Sequence, residues 1–364
     1  MNNSNKKKKQ IIVPPRLNNY CNNCYFNSAL QILFVCTSFI WTLKQLKRYS
    51  TFANKILSIK NGEYEVNLIS LLKEFFHKNK NKQIVSGKYC DADECLNSIL
   101  SILSEEIKND FSISIKYSKK LNDDRLLIIN NENEFAKLSI NERRYIKFNI
   151  LKQQVYRFLE KYFDENRNYF VNSLFIFVEG IVYTCSNCSY ENVVYNARNS
   201  IIVYSSMKNI SESINKEYTT EIITKECISC NNKYIKHKKK TTLVAAPQLL
   251  LVKISNIDTR KTIIPNRTLC INFPLRIIHN KFKRNDKQKN DCETEVIRKM
   301  KLLLNNDFEC NFSLKGIVFH NLDHYYVMTK HNKTWWLCSD NLVRQEEFCE
   351  SPIKHAQILL YERV

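Results

Sequence analysis

Cys24 stands where an asparagine-rich loop, Asn18-Asn19-Tyr20-Cys21-Asn22-Asn23, runs into a segment with almost no polar face. Tyr25, Phe26, Ala29, Leu30, Ile32, Leu33, Phe34 and Val35 follow, so the pattern predicts a buried helix with the cysteine at its first position. Unpaired N–H groups and the positive end of the dipole at such a terminus lower a thiol's pKa, which is what a nucleophile needs. An inert thiol that simply packs at the helix start fits the same residues equally well. A second constellation is the pair of knuckles Cys185-Ser-Asn-Cys188 and Cys227-Ile-Ser-Cys230. Four thiolates match tetrahedral Zn²⁺ at about 2.3 Å in a closed, structural site. The stretch between the knuckles is too long for a compact zinc ribbon but suits a β-hairpin excursion that carries both at its far end.

The run from Leu17 to Gln31 resembles the cysteine box of the ubiquitin-specific protease family, G-L-x-N-x-G-N-T-C-Y-x-N-S-x-L-Q. Leu17, Asn19, Asn22, Cys24, Tyr25, Asn27, Ser28, Leu30 and Gln31 match, while Arg16 and Cys21 replace glycines and Asn23 replaces threonine. A family glycine at position 21 raises the question of a backbone angle that Cys tolerates less well. A second thiol so close to Cys24 could also pair with it on oxidation. Further boxes follow in order. Cys90-Asp-Ala-Asp-Glu-Cys-Leu96 is similar to Q-D-A-x-E-F-L, and Pro247 to Ile254 to the P-x-x-L-x-x-x-L-K-R strand. Phe312 to His320 with His324-Tyr325 resembles Y-x-L-x-x-V-x-x-H and G-H-Y, with Asp323 at the glycine. Trp335 to Val343 resembles W-x-x-F-[ND]-D-x-x-V.

The resemblance implies an α+β, papain-like cysteine protease with a helical thumb, zinc-bearing β fingers and a β palm. It implies Cys24 as nucleophile, His324 as general base and Asn19 as donor to the oxyanion. The third member depends on the register. Aligning on Trp335 puts Ser339 at the orienting position; aligning on Trp336 puts Asp340 there, and a carboxylate stabilises imidazolium better than a hydroxyl. Asp340 is therefore the expectation and Ser339 the alternative. The implied reaction is hydrolysis of the isopeptide or peptide bond after the C-terminal Gly-Gly of ubiquitin on conjugates, with Cys185, Cys188, Cys227 and Cys230 holding structural Zn²⁺. A catalytically silent ubiquitin-binding relative is the first rival, given Arg16, Cys21 and Asp323.

Composition narrows the remaining classes. No stretch reaches the ~18 uncharged apolar residues of a membrane span. Met1 to Lys9 has no apolar core after its charges, so a secretory signal is not expected. Fourteen cysteines in such a chain point to reduced thiols, metal ligands and catalysis, hence to cytosol or nucleus. The formal charge of +20 raises a zinc-ribbon nucleic-acid binder as a second rival. Its dense runs, Lys6 to Lys9, Lys236 to Lys240 and Lys281 to Lys289, fall at a tail and in expected loops, so solvated surface is the preferred reading and nucleic acid is not an expected partner.

The elements that must position these residues divide the chain into a basic, disordered tail (1–15), a helical thumb (16–170) with a motif-free insertion (108–168), β fingers (171–246) and a palm (247–364). The Cys24 helix is expected to run to about Leu43. Leu68, Leu71, Leu72, Phe75 and Phe76 repeat at helical spacing, as do Cys95, Ile99, Leu100, Leu103 and Ile107. Short β-forming runs begin after Phe170. Asn280 to Asn290 is expected as a basic linker, Glu293 to Leu304 as a short helix, and Phe312 to His320, Tyr325 to Thr329 and Thr334 to Leu337 as closing strands.

Overall fold

The asparagine loop turns into helix at Cys24. In the computed structural model, which describes residues 13–62, 65–108, 111–116, 136–166, 170–204, 209–255, 262–279, 283–284, 296–304 and 309–364, α1 (Cys24–Phe34) is buried along its whole length. It does not continue to Leu43. The chain bends by 98° at an extended Cys36 and restarts as α2 (Thr37–Leu46). The cause lies far away in sequence: the Ser38 N–H and hydroxyl donate to Glu362 Oε1 at 3.0 and 2.8 Å, so a buried carboxylate satisfies the start of a new helix. In α3 (Thr51–Asn61) Ser50 caps the N-terminus and Gly62, at φ 115°, ends the helix in the left-handed region. Next come α4 (Glu65–Lys78) and α5 (Ala92–Glu106). The acidic cluster does start α5, with Asp91 accepting from the Asp93 N–H. Among the described residues no single helix is long and apolar enough to cross a membrane.

Two sheets follow. Their strands are β1 (Phe111–Lys116), β2 (Phe177–Cys185), β3 (Glu191–Arg198), β4 (Ser200–Tyr204), β5 (Thr220–Cys227), β6 (Asn232–Ala246), β7 (Leu249–Ser255) and β8 (Thr268–Asn272). Beyond these lie β9 (Leu275–His279), β10 (Lys283–Arg284), β11 (Val296–Leu304), β12 (Glu309–Asn321), β13 (His324–His331), β14 (Thr334–Ser339), β15 (Leu342–Glu346) and β16 (Ala356–Arg363). The first sheet runs β1-β11-β9-β6-β2-β3, with β5 on β6 and β10 on β11. The second runs β15-β14-β13-β12-β16-β7-β4, with β8 on β12. Two further helices are α6 (Ile140–Glu165) and α7 (Ile210–Glu217).

Several expectations change here. Glu293 to Leu304 was expected as helix, but 296–304 is strand β11, antiparallel to β9 and parallel to β1. Its apolar spacing permits a helix; the open ladders of β9 and β1 decide otherwise. Within the expected basic linker, Lys283–Arg284 pair with β11, and the rest of that linker lies outside the described residues. The expected 108–168 insertion is structural. It supplies β1 and α6, whose Val155, Leu159 and Phe163 are buried against Ile176, Val178, Val244 and Leu275. A complete capping box between Ser139 and Glu142 starts α6. Most of the expected disordered tail, including Lys6 to Lys9, lies outside the described residues. Pro14 and Pro15, its last two residues, are buried, and the Gln31 amide donates to the Pro15 carbonyl.

The thumb helices and one face of the second sheet share a core in which Phe26 meets Phe75 with ring centroids 4.8 Å apart. Each such side chain contributes ~1.5–3 kcal/mol on burial. Helix α1 lies close on β12 because Gly316 has no side chain: a Cβ there would stand 3.0 Å from Ile32 Cγ1 and 3.1 Å from the Met328 carbonyl oxygen. That close seating carries the first turn of α1 to the edge of β13.

Candidate active site

Asn23 precedes α1 but makes no side-chain cap bond to it. Its carboxamide serves the loop: Oδ1 accepts from the Tyr20 and Cys21 N–H groups at 2.7 and 3.2 Å, and Nδ2 donates to Asn27 Oδ1 at 3.0 Å. The left-handed residue of the loop is Asn22 (φ 53°), not Cys21. Asn tolerates that angle, so a cysteine at position 21 strains nothing. Because no side chain caps the helix, the Tyr25 and Cys24 N–H groups reach the Cys24 thiol, joined by the Tyr325 N–H from β13. The net effect still opposes the sequence expectation. Burial pushes the Cys24 thiol above its ordinary value, Asp340's charge adds to that, and the three N–H donors only partly offset it.

His324 opens β13 immediately before Tyr325, after a two-residue turn, Leu322-Asp323, from β12. Leu322 takes the positive φ there (54°), so Asp323 in place of the family glycine is unstrained. His324 Nε2 lies 2.7 Å from Ser339 Oγ at the end of β14. Asp340, the expected partner, is turned away. It sits at φ 52° in the β14–β15 turn, and its carboxylate accepts from Asn27 Nδ2 at 2.8 Å and Asn19 Nδ2 at 3.0 Å. Its carbonyl accepts from the Leu17 N–H at 3.2 Å. The structure therefore brings Cys24, His324, Asn19, Ser339 and Asp340 to one end of α1, with Ser339 on the imidazole and Asp340 clamping the cysteine loop. The family-matched Asn27, which carried no expected role, is half of that clamp.

With Nε2–H donated to the serine hydroxyl, the other ring nitrogen is free to take a proton. Asn19 spends one N–H on Asp340 and accepts the Asn23 N–H on Oδ1 at 2.9 Å, so its amide is fixed in orientation with one N–H left to donate. Together these groups form a buried thiol, a base held in one tautomer and an oriented amide.

The second constellation also assembles. Cys185 and Cys227 end β2 and β5, while Cys188 and Cys230 lie in the turns beyond; in each turn the next residue, Ser189 (φ 55°) or Asn231 (φ 49°), is left-handed. All four sulfurs lie within 4.8 Å of one another, with 3.9 Å between Cys185 and Cys230 and 3.6 Å between Cys188 and Cys227. Ligands ~2.3 Å from a tetrahedral ion stand ~3.8 Å apart, so the cluster fits a metal. The Cys230 N–H holds the Cys227 thiol down at about 6, toward the ligating form.

A cysteine at a buried helix start, facing a histidine on a strand of the adjoining sheet, is the plan of a papain-like thiol hydrolase. Residues 15–361 match the ubiquitin carboxyl-terminal hydrolase family, and the chain belongs to that family of cysteine peptidases. No curated protein sequence matches it. Among solved structures it is similar to the yeast SAGA DUB module with an Sgf73 variant (TM-score 0.58, 14% identity, 96% of this chain and 68% of that one). It is also similar to the Ubp8/Sgf11/Sus1/Sgf73 DUB module bound to ubiquitin aldehyde (TM-score 0.56, 15% identity, 96% and 69%). A third, the same module bound to monoubiquitin, gives a TM-score of 0.57 at 12% identity over 99% and 72%. These likenesses carry the fold: thumb, fingers and palm.

Proposed function

We propose that the protein is a thiol-dependent deubiquitinase of the ubiquitin-specific type, hydrolysing the bond after the C-terminal Gly-Gly of ubiquitin. The observation that carries this reading is the convergence of the Cys24 thiol, the Tyr325 N–H beside His324, and the His324–Ser339 bond at one end of α1. Family membership and two neighbours bound to ubiquitin or its aldehyde support it. His324 takes the Cys24 proton as sulfur attacks the scissile carbonyl, because a buried thiol with a raised pKa needs its base at the moment of attack. The oxyanion receives the free Asn19 N–H and the backbone N–H groups at the start of α1. His324 then returns the proton to the leaving amine, and water, activated by the same ring, hydrolyses the thioester. Ser339 fixes the ring's tautomer but brings no charge to the imidazolium. Asp340 acts through Asn19 and Asn27.

Cys185, Cys188, Cys227 and Cys230 hold Zn²⁺ in this reading, as a closed site that fastens the ends of two hairpins and takes no part in the chemistry. Ubiquitin and ubiquitinated proteins are the partners, in cytosol or nucleus. The silent-relative reading draws on the raised Cys24 pKa and the uncharged Ser339. A ubiquitin carrying a C-terminal electrophile separates the two: an active protein forms a covalent adduct that Cys24→Ala abolishes. Reversible binding without an adduct would establish the silent relative.

A further inference from the structure

At the opposite ends of the two elements that carry Cys24 and His324 lies a cavity of about 380 Å³. Phe34 and Val35 at the end of α1 and His331 at the end of β13 line it, with Trp41 and Lys44 of α2, Lys60 of α3, Lys315 of β12 and Lys330 of β13. Four lysines thus share one small space. Lys315 is paired with Glu362 at 3.3 Å. Among the described residues Lys44, Lys60 and Lys330 have no carboxylate partner. Lys60 lies over the Phe34 ring at 5.6 Å and Lys330 over Trp335 at 5.9 Å, contacts that leave the charge uncompensated.

The cations feel one another. Burial pushes Lys60 down; burial, Lys315 and Arg267 push Lys330 down; burial and Lys60 press His331 to about 3. A fold that gathers like charges and desolvates them loses stability unless a counter-charge arrives. His331 gives an independent sign of a missing ligand. It is 7% exposed, and its Nε2 is buried without a hydrogen-bond partner. A buried polar atom left unpaired costs ~1–3 kcal/mol, and such atoms are rare without a reason.

We propose that this cavity binds a small, soluble anion carrying two or more phosphate groups, held by Lys44, Lys60 and Lys330 and by a hydrogen bond from His331. The volume admits a compact anion and excludes a folded partner. Several point charges around one space suit phosphate oxygens, which accept many charge-assisted hydrogen bonds from lysine ammonium groups. The site is independent of the proposed hydrolysis, so its test needs no substrate.

The experiment is calorimetric titration and thermal denaturation of the full chain with tripolyphosphate, chloride holding the ionic strength constant. Bound zinc is assayed before and after, so that chelation is not read as binding. The expected result is saturable one-to-one binding with a rising melting temperature. Lys60→Met and Lys330→Met should each weaken binding at least ~10-fold, as loss of a buried charge-assisted contact does. Without ligand Lys60→Met should melt no lower than the wild type, because it removes a repelled, buried cation. Lys238→Met, on the exposed lysine run of β6, should leave binding unchanged. Absence of saturable binding overturns the proposal, as does equal weakening by Lys238→Met, which would mean diffuse surface attraction. Co-sedimentation with phosphatidylserine vesicles without tripolyphosphate binding would also overturn it, in favour of a membrane surface.

Discussion

Ser339 and Asp340 divide between them what one residue was expected to do. Ser339 bonds the imidazole, and Asp340 holds Asn19 and Asn27. Losing an oriented oxyanion donor costs ~10²–10³ in kcat, the loss expected for Asn19→Ala. If Asp340 works through Asn19, Asp340→Ala lowers kcat as well, and the double variant is no slower than Asn19→Ala alone. Turnover of a ubiquitin amide by the three variants checks this; multiplicative losses would mean that Asp340 acts separately. Ser339→Asp should raise kcat, since a carboxylate stabilises the imidazolium that a hydroxyl cannot, and an unchanged or lower kcat would show that orientation alone matters. The Cys24 pKa makes its own prediction. A thiol raised by burial is protonated at neutral pH, so its alkylation rate climbs with pH beyond the ordinary thiol range (~8.5). An alkylation rate already flat by pH ~6 would instead reveal a preformed thiolate–imidazolium pair.

Helices and hairpins differ in how far they could be read from sequence. α1 starts at Cys24 as expected because a polar loop meeting an apolar run is a local signal. Its end at Phe34 was not legible, because Glu362 of β16 makes the break. Glu362→Gln should therefore weaken the start of α2, lowering stability by ~1–2 kcal/mol in chemical denaturation. An unchanged midpoint would show that Cys36 breaks the helix unaided. Strand β11 was misread for the same kind of reason: its ladder partners, β9 and β1, lie far away in sequence. The four-cysteine cluster was fully legible, because CxxC spacing already fixes two ligands on one turn. Metal analysis should return about one zinc per chain. Cys188→Ser should lose it and melt the fingers before it slows alkylation of Cys24; a folded, active and metal-free preparation would contradict the assignment.

At the scale of the molecule, the site is a meeting of lobes. α1 belongs to the helical half, His324 and Ser339 to the second sheet, and the absent side chain of Gly316 lets one rest on the other. The order of the boxes made that meeting legible, whereas sequence could not show which of Ser339 and Asp340 faces the ring, since a left-handed Asp340 reverses the expected direction. The most direct measurement of the central claim is steady-state hydrolysis of a ubiquitin–fluorophore amide by the wild-type chain and by Cys24→Ala, with ubiquitin affinity measured in parallel. Saturable turnover that vanishes in Cys24→Ala, while the variant still binds ubiquitin, is the predicted result. Turnover retained by Cys24→Ala, or none from a folded wild-type chain, would contradict it.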